Sequence, residues 1–296
     1  MKNILLLGGS GMLGHKLYQV LSNEFNVKVT FRKFNKSFNT TSMFRPPDIV
    51  DNIDALDFES IQRTFFNFRP DIIINCIGII KQLKQAQNYK LTIYINSLFP
   101  HLLAELCQQN GSRLIHISTD CVFSGHGGTY TESSKSDAED LYGRSKFLGE
   151  ASYSPALTLR TSIIGHELIS NISLVDWFIS NMHGIISGYD RAIYTGFPTI
   201  TLASEILRII NNYPELTGLY NVSSEPISKY ELLKIINEVY SLKIKITKDE
   251  EFYCDRSLDS TKYRLETGFR PNSWPDMIKE MFEDYLKIKY KKQEIK

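Results

Sequence analysis

Little in this chain offers a metal or a redox pair. Its four cysteines, Cys76, Cys107, Cys121 and Cys254, stand far apart with no C-x-x-C pair, which argues against zinc ribbons and dithiol motifs. The six histidines (His15, His101, His116, His126, His166 and His183) show no metal-ligand spacing, so no metal is expected. No run approaches the roughly 18 apolar residues of a membrane span, and Ile4 to Leu7 is too short for a signal-peptide core. The expectation is a chain with no membrane partner and reduced thiols in the cytoplasm. Triplets such as Asn171-Ile172-Ser173 then carry no glycosylation meaning. An excess of charge of one sign is missing too, since 34 Lys and Arg against 33 Asp and Glu leave +1. Without a basic stripe there is no footprint for nucleic acid. The 17 glycines and 10 prolines are scattered, which excludes collagen-like and low-complexity chains.

What remains is an ordinary globular composition, 42% hydrophobic and 23% charged over 296 residues, enough for one large or two intimately joined domains. Short apolar runs at Ile4–Leu7, Val27–Phe31, Asp71–Ile77, Arg113–Ser118 and Ala156–Thr161 read as strands, with a thin further signal at Asp48–Val50. Between them lie helical patterns at Met12–Leu21, Phe58–Asn67, Thr92–Gln109 and Asp140–Ala151, with Asp57 as an N-cap and Gly111 as a C-cap. This alternation predicts an α/β fold, a Rossmann-type doubly wound parallel sheet. Residues 166–200 carry weak periodicity; helices return at Leu202–Asn212, Lys229–Tyr240 and Pro275–Lys287, and the charged tail Lys287–Lys296 is expected to fray. The expected division is a dinucleotide-binding domain over 1–165, with a return segment near 200–222, and a smaller C-terminal lobe over 166–296 for the substrate.

Gly8, Gly9, Ser10, Gly11, Met12, Leu13 and Gly14 follow the first strand and open the first helix, satisfying G-x-G-x-x-G in the context it requires. Absent side chains let the backbone turn tightly and approach a pyrophosphate at the positive end of the helix. No G-K-[S/T] follows, so a P-loop is not indicated. At the end of the second strand stand Arg32 and Lys33, with no acid before Asp48. An acid there suits the ribose hydroxyl of NAD, whereas bases suit a 2′-phosphate. NADPH is the expected cofactor, NADH being the alternative should Arg32 and Lys33 form only a solvated basic turn.

Strand five runs into Ser118-Thr119-Asp120-Cys121-Val122-Phe123, and the following helix carries Tyr142-Gly143-Arg144-Ser145-Lys146. Tyr142 and Lys146 are four apart and share one helical face. A hydride arriving at a ketone leaves charge on oxygen, so a placed acid must supply a proton. A phenol of ordinary pKa about 10 does so readily when a cation stabilises its phenolate. Tyr142 is the candidate acid, Lys146 the cation, and Thr119 the group that holds the carbonyl oxygen. Tyr142 and Lys146 as a plain surface pair is the bland alternative. His116 reads as a hydrogen-bonded core residue rather than a ligand, and Trp177 and Phe178 as packing residues or a stack for a base.

With these pieces the chain resembles the extended short-chain dehydrogenase/reductase family, within it the dTDP-4-dehydrorhamnose reductase-like group. The matching residues are the Gly8–Gly14 loop, Asn96, the Ser118–Phe123 and Tyr142–Lys146 segments and Arg160-Thr161-Ser162. Looser matches follow at Gly196-Phe197-Pro198-Thr199 and Arg256-Ser257-Leu258-Asp259-Ser260. The resemblance implies a nucleotide-sugar substrate, linked to dTDP, UDP, GDP or CDP, and Thr119, Tyr142 and Lys146 as catalytic residues. It also implies cofactor contacts at Asp54 (otherwise a turn aspartate), at Cys76, Ile77 and Gly78 beyond Asn75, and at Asn96. Lys81, Cys121, Val122, Arg191 and Arg256 are the implied substrate contacts, Arg256 toward nucleotide phosphates or else in a surface ion pair. A homodimer is compatible with the resemblance.

Three departures bear on the sugar. Cys121 stands where the group has an aromatic residue, Cys76-Ile77-Gly78-Ile79-Ile80-Lys81 where small alanines are usual, and Ile193-Tyr194-Thr195 where Asp-Gln is expected. The implied activity is NADPH-dependent reduction of a nucleotide-linked 4-keto-6-deoxy sugar in deoxysugar or surface polysaccharide biosynthesis. The alternatives are an epimerase or dehydratase of the same family and a non-catalytic regulatory subunit. Dehydratases add an acid pair after the catalytic Thr, and here Asp120 is followed by Cys121; no His partner in the local motif supports Cys121 as a nucleophile.

Overall fold

The computed structural model describes residues 1–294 apart from 36, 37, 39–42, 82, 83 and 170. In chain order its elements are β1 (Asn3–Leu7), α1 (Gly14–Leu21), β2 (Asn26–Thr30), β3 (Ile49–Val50), α2 (Phe58–Phe68), β4 (Ile72–Asn75), α3 (Tyr89–Ile93), α4 (Phe99–Asn110), β5 (Arg113–Thr119), α5 (Leu141–Leu148) and β6 (Ala156–Thr161). They continue with β7 (Ile163–Ile164), α6 (Leu174–Ser180), β8 (Ile185–Tyr194), β9 (Phe197–Pro198), α7 (Thr199–Asn212), β10 (Gly218–Asn221), β11 (Ile227–Ser228), α8 (Lys229–Val239), β12 (Lys245–Asp255), α9 (Thr261–Thr267) and α10 (Trp274–Glu294).

Neighbouring residues of β1 feed two apolar clusters, Ile4 and Leu6 one, Leu5 and Leu7 the other. A strand so covered belongs inside a parallel sheet. The sheet has seven strands in the order β10-β6-β5-β4-β1-β2-β3, all pairs parallel. Leu17 and Leu21 of α1 join Ile206 and Ile210 of α7 and Met277 of α10 on one face. Ile61 and Phe65 of α2 and Phe99 and Leu103 of α4 cover the other. The chain order reverses between β1 and β4, and a crevice opens there at the carboxyl ends of the strands, where ligands of open α/β sheets bind.

The predicted elements recur with shifted ends. The first helix begins at Gly14, not Met12, because Gly11 is held in a turn by its amide on the Gly8 carbonyl, 3.0 Å away. The expected Thr92–Gln109 helix starts earlier and passes through a wide π-type turn at Tyr94–Leu98 before α4, whose first turn accepts Pro100 because no amide bond is needed there. Asp140 caps α5 through the Gly143 amide, 2.7 Å, and the helix stops at Leu148 rather than Ala151. Asp57 and Gly111 cap as expected, Gly111 at φ 69°. Helix α10 continues to Glu294, through most of the tail expected to fray.

Weak periodicity over 166–200 concealed β8, ten residues long, paired with β11 antiparallel and with β12 parallel. From this lobe the chain returns: α7 packs on α1, and β10 extends the main sheet beside β6. Among the described residues no helix is long and apolar enough to cross a membrane, and no cluster of His, Cys, Asp or Glu could hold a metal.

Candidate active site

The glycine loop meets the end of β4 at the chain reversal. Gly8, at φ +90°, would put a Cβ 3.2 Å from the Cys76 carbonyl carbon and from an Ile77 side-chain atom. A Cβ on Gly14 would lie 2.1 Å from the Gly8 oxygen, so α1 approaches the loop only because that carbon is missing. Ser10 and Gly11 are exposed and Met12 half-buried, while Leu13 packs inward. The amides of Ser10, Met12 and Leu13 have no backbone partner among the described residues. A cradle of free amides at a helix start suits a pyrophosphate, and these residues fit a dinucleotide.

Across the crevice, α5 lies against the turn that follows β5. Gly143 makes this possible: a Cβ there would stand 2.2 Å from the Cys121 oxygen. The contact sets Tyr142 beside Thr119 and Asp120. Burial pushes the Tyr142 phenol above its ordinary 10, while the Thr119 side chain acts in the opposite sense. Lys146 is buried and donates to the Ile117 carbonyl at 2.8 Å. Loss of water lowers its ammonium to about 8, with Glu150 opposing the fall. Thr119 Oγ1 accepts the Cys121 amide and donates to Asp120 Oδ1, each at 3.1 Å.

Behind Lys146 stands a buried ion pair. Arg160 on β6 donates to both Glu150 oxygens at 2.7 and 2.6 Å, and Ser118 adds a third bond at 2.7 Å. Asn75 at the end of β4 bonds His116 through its amide, 3.1 Å, and its oxygen takes the Ile77 amide, 3.0 Å. Burial holds the His116 imidazole neutral, so it is a core residue. The sequence reading gave no role to Glu150, and took Gly143 and Asp140 only as part of the Tyr142–Lys146 motif and as the start of its helix. Their signals were present: Glu150 lies four residues after Lys146, Gly143 directly after Tyr142, and Asp140 just ahead of the helix.

The other candidates are distributed unevenly. Cys76 and Ile77 are half-buried and Gly78 exposed along the crevice, the Cys76 thiol pushed up to about 12 by burial. Lys81 pairs with Asp140, and its ammonium lies 6.0 Å from the centre of the Tyr142 ring. Arg256 donates to the carbonyls of Phe123, 2.8 Å, and Ser124, 3.2 Å, and faces the Cys121 sulfur at 3.8 Å. Burial pushes the Cys121 thiol up to about 12, the opposite of an activated nucleophile.

Other positions call for a different description. Val122 is fully buried with Phe123 and Leu258, and its carbonyl accepts Ser136 and Ala138, so it backs the turn instead of facing a ligand. The Asn96 amide is engaged with Ile79 in both directions, 2.9 and 3.0 Å, and with Ser145; it shapes the loop after β4. Asp54 takes the Leu56 amide at 3.0 Å as a turn aspartate does. Arg191 is exposed on β8 with its guanidinium 5.0 Å over the Tyr253 ring. Arg32 and Lys33 are exposed beyond β2, without an ion pair among the described residues. Phe178 is in the core, whereas Trp177 is 41% exposed and so does not share that packing.

A family model described as RmlD substrate binding domain matches residues 1–287. The chain belongs to that family. It is 25% identical to the spore coat polysaccharide biosynthesis protein SpsK of Bacillus subtilis, over 96% of this chain and 98% of that one. It is 26% identical to methionine adenosyltransferase 2 subunit beta of Danio rerio, covering 81% and 75%, and 25% identical to dTDP-4-dehydrorhamnose reductase of Aggregatibacter actinomycetemcomitans, covering 94% and 98%. In structure it is similar to dTDP-4-dehydrorhamnose reductase of Bacillus anthracis in complex with NADP, with a TM-score of 0.79, 22% identity, and coverage of 96% and 99%. The α/β architecture of this RmlD-family chain thus has close counterparts along its whole length.

Proposed function

We propose that this protein is an NADPH-dependent reductase of a nucleotide-linked 4-keto-6-deoxy sugar. One observation carries the reading: half-buried Tyr142 and buried Lys146 lie on one face of α5 beside Thr119, across the crevice from the glycine loop. Support also comes from relatives named as a dTDP-4-dehydrorhamnose reductase and a polysaccharide biosynthesis protein.

The residues that would hold the dinucleotide are the Gly8–Gly14 loop for the pyrophosphate, Arg32 and Lys33 for a 2′-phosphate, and Lys146 for the nicotinamide ribose. When bound, it supplies a hydride for the ketone carbon. Tyr142 gives its proton to the ketone oxygen, on which negative charge develops. Lys146 stabilises the phenolate left behind; its ammonium is close enough to neutrality to respond to that charge. Thr119 orients the oxygen. Lys81 and Arg256 flank the entrance with positive charge suited to a nucleotide diphosphate. The proposed location is the cytoplasm, and the proposed assembly is a dimer.

The test is a screen of dTDP-, UDP-, GDP- and CDP-linked 4-keto-6-deoxy sugars with NADPH, following loss of its absorbance. Tyr142→Phe is expected to abolish turnover and leave NADPH affinity within about fivefold, since one hydroxyl contact is worth about 1 kcal/mol. Near-full reduction by that variant sinks the assignment. Redox-neutral turnover would point to an epimerase. The relationship to methionine adenosyltransferase 2 subunit beta supports a second reading as a regulatory subunit. A stable complex with another enzyme, and no turnover of any keto sugar, would favour it.

A further inference from the structure

Thr119 has one hydroxyl hydrogen and two claims upon it. In the structure that hydrogen goes to Asp120 Oδ1 at 3.1 Å, and one lone pair of Oγ1 is occupied by the Cys121 amide. Orienting a ketone oxygen, as the proposed function asks of Thr119, needs the same hydrogen. A hydroxyl cannot donate to both.

The surroundings of Asp120 resolve the conflict. Its side chain is buried, with the residue only 7% exposed, yet it makes no ion pair among the described residues. The nearby Arg256 guanidinium is directed to the Phe123 and Ser124 carbonyls and the Cys121 sulfur. The other titratable groups facing the carboxyl are Cys121 on its own turn, Tyr142 from α5, Tyr194 from β8 and Lys229 from α8. Two are phenols that burial keeps protonated, and neither supplies charge. The Asp120 carboxyl is held only by uncharged donors, the Thr119 hydroxyl and the Cys121 thiol; a buried carboxylate so held is poorly stabilised, whereas a buried carboxylic acid needs little more than an acceptor. Thr119 Oγ1 is that acceptor.

We propose that Asp120 is a positioning residue that works with a proton on its carboxyl. In that state Asp120 donates to Thr119 Oγ1, the Cys121 amide fills the second lone pair, and the threonine hydrogen is released to the oxygen of the bound ketone. Asp120 and the Cys121 amide are then satisfied, and Tyr142, which meets Thr119 in the structure, turns its hydroxyl to the same ketone oxygen. When Asp120 is ionised, Thr119 turns back to it and the ketone loses a donor. Where Asp120 is ionised in the free protein, ketone binding therefore takes up one proton from solvent, and affinity for the keto sugar falls as pH rises. This rests on the reductase reading above, but its first test does not.

Burial holds the Asp120 carboxyl above the ordinary carboxylate range, with Arg256, the Thr119 and Cys121 side chains and Lys229 opposing. In wild-type protein without substrate, infrared difference spectra against Asp120→Asn across pH 5 to 9 are expected to contain a carboxylic-acid band that disappears as pH rises. A carboxylate band at every pH overturns the proposal, whether or not any sugar is reduced. With a dTDP-linked 4-keto-6-deoxyhexose and NADPH, wild-type KM is expected to rise with pH while the Asp120→Asn KM stays flat, because the amide donates to Thr119 at every pH. The Asn variant should keep turnover within about tenfold of wild type at pH 6, the scale of one altered hydrogen bond. An unchanged alkaline rise of KM in Asp120→Asn, or proton uptake persisting in that variant by buffer-dependent calorimetry, refutes the mechanism. Absence of turnover in wild type, with the infrared band present, refutes the reductase reading alone.

Discussion

The Lys146 ammonium donates to the carbonyl of Ile117 at 2.8 Å, two residues ahead of Thr119 on the same strand. One bond thus ties the proposed cation to the strand that carries the proposed carbonyl anchor. Its burial lowers the ammonium from 10.5 to about 8. The signs for activity and for stability are opposite. Activity that needs the cation is present below pH about 8 and declines above it. Between about 8 and 10.5 the unfolded chain binds more protons at this site than the folded one, so the lysine's contribution to stability rises with pH. A pH profile of kcat is expected to fall through this window. Over the same window the melting temperature of wild type should gain on that of Lys146→Met. A flat kcat profile up to pH 10 contradicts the role.

Gly143 is a second point of leverage. A methyl group there would stand 2.2 Å from the Cys121 oxygen and 2.5 Å from the Ala138 Cβ, so α5 must move off the turn. Gly143→Ala should cost ~1–3 kcal/mol in urea unfolding, the range for overpacking, and lower kcat by at least about tenfold. Gly111→Ala is the control. That glycine has φ +69° and nothing within 4 Å of its missing Cβ. It should cost about 1 kcal/mol through backbone strain and leave kcat alone.

Arg32 and Lys33 offer a test of the cofactor that does not disturb the fold. Both are exposed beyond β2. The double change Arg32→Ala, Lys33→Ala should raise the KM for NADPH by about 10- to 100-fold, the worth of charge-assisted bonds to a phosphate. The KM for NADH should move little. Equal effects on both cofactors would reduce the pair to a solvated basic turn.

The legible parts of the chain share a cause. Strands β1, β4 and β6 are buried on both faces, so each is a short apolar run, and α1, α2 and α4 each have one apolar side. Strands β8 and β12 lie outside that rule. β12 is half-exposed and charged, and its partner alternates only loosely, so neither stands out by hydrophobicity. The site divides the same way. Thr119, Tyr142 and Lys146 are readable because helical spacing and strand ends are local properties. Arg256 was visible as a residue, but its bonds depend on the fold bringing it to Phe123 and Ser124, more than 130 residues away. Asn96 was read as a cofactor contact; its pairing with Ile79 across the π-type turn has no local signature.

The buried Glu150–Arg160 pair carries the last prediction. Each side chain is under 5% exposed, and the carboxylate takes three charge-assisted or hydroxyl bonds. Removing one partner of such a pair leaves the other charge unsolvated, a loss of ~3–5 kcal/mol. Glu150→Ala should therefore unfold well before wild type. Glu150→Gln keeps the shape and one acceptor, so a smaller loss is expected, and it isolates an electrostatic effect. The charge of Glu150 is the main influence holding the Lys146 ammonium up against burial. Without its charge the lysine should lose its proton at a lower pH, and the alkaline decline of kcat should move toward acid. The rate at which Lys146 reacts with an acylating reagent in protein without cofactor should show the same displacement. If Glu150→Gln lowers stability but leaves both curves where they were, the pair serves only to join α5 to β6.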